Sequence, residues 1–161
     1  MWLENKKTFV RKGLNKDVLN EVLATYELFK NQPNEILDDI RQLDYTTQCA
    51  AIFGYLVENV TYQEDPIGEQ YVQTPGYLIR QSRVGDCKSM SVFIGSCLHC
   101  LGIPFVFRFV GFANNGIYSH VYIVANPDTH KQIILDPVER IDGEPVFDYA
   151  RPYVIKKDVR K

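Results

Sequence analysis

The stretch Val84-Gly85-Asp86-Cys87-Lys88-Ser89-Met90-Ser91 decides how the rest of the chain is read. A glycine and a short acidic residue close one segment and open another. Aspartate is a favoured helix N-cap, because its carboxylate accepts hydrogen bonds from the free amides of the first turn. Cys87 then falls in that first turn, where unpaired N–H groups and the helix dipole favour negative charge. The thiolate is the reactive form of cysteine. Downstream, Met90, Phe93, Ile94, Cys97, Leu98 and Leu101 recur at steps of three and four, making one continuous helical face. Gly102 and then Pro104 supply a C-cap glycine and a residue that cannot continue the helix. The stretch predicts a buried helix with a cysteine at its positive end.

Upstream, Leu14 to Lys30 carries Leu14, Val18, Leu19, Val22, Leu23, Tyr26 and Phe29, an amphipathic helix pattern. Asn31-Gln32-Pro33-Asn34 breaks it. A shorter helix follows with Ile36, Leu37, Ile40 and Leu43, then a third from Thr46 to Asn59. From Thr61 to Arg83 periodicity dissolves around Pro66, Gly68 and Pro75-Gly76, which predicts a long irregular connection. Loops of that length are often functional, and this one leads into Cys87; it reads equally as the approach to the thiol or as a surface insertion.

Downstream the period changes from 3.6 to 2. Phe105, Phe107 and Phe109 alternate with Val106, Arg108 and Val110, and Asn115-Gly116 favours a tight hairpin. A second strand over 117–124, a turn at Asn126-Pro127-Asp128-Thr129 and a third strand over 132–136 follow. The last segment, with Phe147, Tyr149 and Val154, offers an edge strand. Helices followed by an antiparallel meander on one helix define an α+β architecture.

A chain of 161 residues with 45% hydrophobic and 24% charged residues is expected to form a single domain with a real core. Its parts are a helical region at about 14–60, a core at about 61–138 and a C-terminal extension at 139–161. The formal net charge of -2 argues against a nucleic-acid partner, which needs a concentrated basic patch. The basic tail Lys156–Lys161 reads as a frayed terminus. No apolar run suits a membrane span, and no signal-type segment follows Met1. A cytoplasmic, reducing location with free thiols is the expectation.

Cys97, His99 and Cys100 invite a zinc or redox reading. A structural zinc site needs four placed ligands, and Cys97 falls on the apolar face, where cysteine acts as a small hydrophobe. Cys49 reads as core, and His99 and His130 as structural. No metal or cofactor is implied. His120 lies on the strand after the hairpin and Asp136 ends the next. Cys87, His120 and Asp136 are thus candidate nucleophile, base and orienting carboxylate for acyl transfer. The Cys87 backbone N–H is a candidate oxyanion donor.

The motifs Arg83-Val84-Gly85-Asp86-Cys87-Lys88-Ser89, Leu101-Gly102-Ile103-Pro104, Ser119-His120-Val121-Tyr122 and Ile134-Leu135-Asp136-Pro137 resemble, in order, the transglutaminase-like cysteine-hydrolase superfamily. Val60-Thr61-Tyr62 matches its Val-x-Tyr element, and the Ser-His-Val-Tyr form looks most like its small bacterial and phage-encoded branch. The resemblance spans about Thr61 to Val138. It implies a papain/transglutaminase-like core in which Cys87, His120 and Asp136 are the catalytic residues. Tyr122 stands where many members carry tryptophan, so a tryptophan oxyanion donor is not expected; Tyr62 or Gln81 are the substitutes considered. The calcium sites of large animal transglutaminases have no counterpart in the sequence.

Two functions follow as expectations. The first is a thiol hydrolase or acyltransferase acting on amide or peptide bonds of a protein or peptide substrate. The second is a non-enzymatic structural or adaptor protein that retains the fold, for example in a phage particle alongside phage structural proteins.

Overall fold

A computed structural model describes residues 7–10, 15–66 and 69–161. Trp2, Leu14 and Gly68 lie outside them. The described residues open with strand β1 (Lys7–Val10), helix α1 (Asn15–Phe29), a 3-10 helix (Gln32–Ile40) and helix α2 (Tyr45–Asn59). Asp44 caps α2 by accepting from the Thr47 N–H at 2.9 Å and the Thr47 hydroxyl at 2.8 Å. The second predicted helix is therefore a 3-10 turn that stops at Ile40, and Leu43 lies beyond it, exposed.

The stretch read as irregular is partly regular. It holds β2 (Thr61–Tyr62), β3 (Gln70–Gln73), a single helical turn α3 (Pro75–Tyr77) running into a π-turn at Leu78–Ser82, and β4 (Val84–Gly85). These pieces gain order from distant partners: β3 pairs antiparallel with β1, and β2 pairs parallel with β4. Local periodicity could not show such pairing.

Helix α4 (Cys87–Cys100) begins and ends as its sequence dictates. Asp86 Oδ1 accepts from the Lys88 and Ser89 N–H groups. At the far end Gly102 has φ 72°, its N–H donates to the His99 carbonyl, and the Ile103 N–H donates to the Leu98 carbonyl. That pair of bonds is the Schellman closure, which glycine reaches without steric cost. The helix is buried from Lys88 to Leu98 on all sides, not on one face alone. Its serines fit that setting: Ser89 Oγ accepts from the Gln73 N–H, and the Ser91 hydroxyl donates to the Val121 carbonyl.

Strands β5 (Phe105–Gly111), β6 (His120–Ala125) and β7 (Ile133–Leu135) form the expected antiparallel meander. The β5–β6 connection is longer than a tight hairpin, because residues 112–119 bulge outward. Gly111 permits this: a Cβ there would collide with the Ile117 carbonyl oxygen. A small ribbon follows, β8 (Arg140–Ile141) with β9 (Glu144–Pro145).

The chain then adds β10 (Ile155–Arg160), and the main sheet runs β10-β5-β6-β7. This corrects the frayed-tail reading of Lys156–Lys161. Arg108 of β5 is buried and needs a counter-ion, which Asp158 supplies through two hydrogen bonds at 2.8 and 2.9 Å. Lys161 reaches Glu27 of α1 at 2.8 Å.

One sheet face sets Phe105, Phe107, Phe109, Val121, Ile123 and Leu135 against the helices. Gly95 lets α4 approach, since a Cβ there would meet Phe105 at 3.0 Å and Phe107 at 3.1 Å. The other face, with Val106, Val110, Tyr122 and Val124, is packed by Phe112, Ile134 and Ala150. Central strand β5 is thus buried throughout. No helix among the described residues is long and apolar enough to cross a membrane.

Candidate active site

The cap at Asp86 fixes where Cys87 sits. Because that carboxylate takes the Lys88 and Ser89 N–H groups, Cys87 opens α4 beside the buried sheet. The start of α4 faces the start of β6, and the Ser91–Val121 hydrogen bond ties the two together one helical turn from Cys87. His120, the first residue of β6, pairs with Val110 of β5. Asp136 follows the last residue of β7, whose Leu135 is opposite Ile123.

That register brings the three predicted residues together. His120 Nε2 and Asp136 Oδ2 are 2.6 Å apart, and Asp136 Oδ1 also accepts from the Val138 N–H at 3.2 Å. Cys87 lies close enough to the imidazole to act on its charge, and both residues line one cavity. With Nε2 taken by Asp136, Nδ1 is the ring nitrogen left for the thiol. Burial of the ring opposes the imidazolium, but the hydrogen bond to Asp136 and the negative charge of Asp136 and Cys87 outweigh it. The imidazole pKa is pushed up to about 10. Phe112 faces the ring at 6.4 Å with the planes 26° apart, and Tyr122 is tilted against it at 5.8 Å.

Beneath the thiol lies a second ionic group. The Lys88 ammonium is paired with Asp86 and lies 3.3 Å from Asp65, all three side chains being largely buried. Burial works against the ammonium, but Asp86 and Asp65 keep it charged and raise its pKa. Asp65 also accepts from the Tyr71 N–H at 2.6 Å, which ties β3 to the start of α4.

Cys87, Lys88, Gln70, Ser119 and His120 open on a cavity of about 270 Å³. Gln70 and Lys88 were not singled out from sequence as functional, because Gln70 falls in the stretch without periodicity. Of the two considered side-chain oxyanion donors, Tyr62 lies close enough to Cys87 to feel its charge, but its hydroxyl bonds to Glu64 at 3.2 Å. Gln81 is exposed on the π-turn and does not line the cavity.

All four cysteines are free. Burial pushes the Cys49 thiol up to about 12 and raises Cys97 and Cys100 as well. Cys97 is fully buried, while the Cys100 thiol donates to the Lys30 carbonyl at 3.3 Å, so the two serve packing. His120, Asp136 and Glu139 place ligand-type atoms within 4.8 Å of one another. A metal there would have to take Nε2 from Asp136, the bond that orients the ring.

The sequence matches no family model and no curated protein. Among solved structures the chain is similar to Legionella pneumophila LapG. For the EGTA-treated form the TM-score is 0.53 at 16% identity, over 92% of this chain and 91% of that one. For the calcium-bound form it is 0.52 at 16% identity, over 75% and 73%. At this identity the likeness is one of fold. The chain has the α+β, papain/transglutaminase-like fold.

Proposed function

We propose that this protein is a thiol hydrolase that cleaves amide or peptide bonds through an acyl-enzyme, with Cys87 as nucleophile, His120 as general acid–base and Asp136 as its orienting partner. The observation that carries the reading is an imidazole hydrogen-bonded to Asp136 at 2.6 Å that shares one cavity with Cys87 and interacts with it. An imidazolium beside a helix-start sulfur stabilises the thiolate. The sulfur attacks the amide carbonyl and forms a C–S bond, and the carbonyl oxygen takes the negative charge. The Cys87 N–H is the backbone donor suited to that oxygen. As the intermediate collapses the C–N bond breaks, and His120 gives its proton to the departing amine. Water, giving a proton back to His120, then attacks the thioester; the carboxylic product leaves and the sulfur is restored.

The test is alkylation of Cys87 by iodoacetamide across pH, read by peptide mass spectrometry on wild type and His120→Ala. A free thiol with pKa of about 8.5 is almost wholly protonated at pH 6. Rapid labelling of Cys87 at pH 6 that is lost in His120→Ala supports the pair. Labelling no faster than that of an ordinary thiol overturns it.

A further inference from the structure

We infer that the cavity beside Cys87 receives one uncharged, apolar side chain of the substrate, that of the residue whose carbonyl is attacked; this rests on Cys87 being the nucleophile. The volume is about 270 Å³. That is below the roughly 300–1,000 Å³ of pockets that enclose a drug-sized ligand, and suits a single side chain. Its walls are Val18 and Leu19 of α1, Phe109 of β5, and Tyr118 and Val121 on either side of His120. Leu19, Phe109 and Val121 are core residues whose cavity-facing surface stays apolar.

The charges decide the selectivity. Lys88 also lines the cavity and would, taken alone, attract an acidic side chain. Its ammonium already faces two carboxylates, Asp86 and Asp65. An acidic substrate group would have to displace one of them. A basic group finds no carboxylate among the described lining residues. The His120 imidazolium also lines the cavity but is already held by Asp136, so neither charged type gains an unpaired partner there, whereas an aliphatic side chain gains by leaving water.

The experiment uses four acetyl-dipeptide chloromethyl ketones that differ only in the residue bearing the ketone: leucine, glycine, glutamate or lysine. The Cys87 sulfur displaces chloride, forming a C–S bond as the C–Cl bond breaks, and the rate is read from the Cys87 peptide by mass spectrometry. Each rate is divided by the iodoacetamide rate of the same protein. The leucine reagent is expected to react at least tenfold faster than the other three. In Val18→Glu, which places a carboxylate in the wall, the lysine reagent should gain at least tenfold relative to leucine. Equal ratios for all four reagents, a preference for glutamate or lysine in the wild type, or no shift in Val18→Glu overturns the pocket assignment while leaving the nucleophile in place. If Cys87 resists iodoacetamide as well, the nucleophile reading fails and the pocket falls with it.

Discussion

His120 gives Nε2 to Asp136 Oδ2 at 2.6 Å, and the same ring acts on Cys87, so it lies between the end of β7 and the start of α4. The carboxylate therefore acts on the sulfur only through the ring, by fixing its tautomer and sharing its positive charge.

Asp136→Asn tests that dependence. The amide keeps the size of the carboxylate but loses the charge that holds the proton on His120. Labelling of Cys87 by iodoacetamide at pH 6 should fall at least tenfold, about 1.4 kcal/mol of lost stabilisation. At pH 9 the loss should be small, since an ordinary thiol is then substantially ionised. An equal fall at both pH values would mean that Asp136 matters for folding rather than for the charge on the ring.

The same pair links folding to pH. The ordinary histidine pKa is 6.5, and in the folded protein it is pushed up to about 10. Below pH 6.5 the folded and unfolded chains both hold the proton, and the stabilisation is fully present. Between 6.5 and about 10 only the folded chain keeps it, so stability falls as pH rises, and above 10 the contribution is gone. Urea midpoints measured at pH 6, 8 and 10 should decline more steeply in the wild type than in His120→Gln. Parallel declines would remove His120 as the source.

Lys88→Met isolates the ionic group under the thiol. The substitution leaves Asp86 and Asp65 buried with no cation between them. Removing one partner of a buried ion pair costs about 3–5 kcal/mol. Burial already raises the Asp86 carboxyl above its ordinary range, and without the ammonium that lowers it the shift grows, so the penalty disappears as Asp86 protonates. The variant should be closer to wild-type stability at pH 5 than at pH 8, by urea unfolding. A deficit independent of pH would assign the loss to packing.

How far the sequence carried depends on the range of each interaction. The Asp86 cap, the Gly102 closure and the alternation in β5 are local, and each is present where the spacing puts it. The approach of Cys87, His120 and Asp136 needed only the register of two neighbouring strands. What the sequence could not show is long-range. Strand β3 is ordered by β1 some sixty residues earlier in the chain, and Gln70 came with it. The burial of Lys88 depends on Asp65, which arrives from the preceding loop. The basic tail became a strand because Arg108, in a run of phenylalanines and valines, needed Asp158 fifty residues away.

That last pairing predicts a stability effect far from the site. Arg108 is buried in the central strand and stays charged, so it cannot shed its need for a partner. Asp158→Ala removes two charge-assisted hydrogen bonds and leaves the guanidinium beside the Tyr153 ring, 6.0 Å from its centroid. Hydrogen bonds to charged groups contribute about 1.5–3 kcal/mol, and a loss in that range is expected by chemical denaturation. Because β10 covers the edge of β5 opposite β6, its amides should exchange faster with solvent deuterium, while those of β6 next to His120 keep their protection. Asp158→Asn keeps a hydrogen-bonding side chain without the charge and should recover part of the loss. If Asp158→Ala unfolds at the wild-type midpoint, the tail is a passive edge strand and Arg108 is satisfied without it.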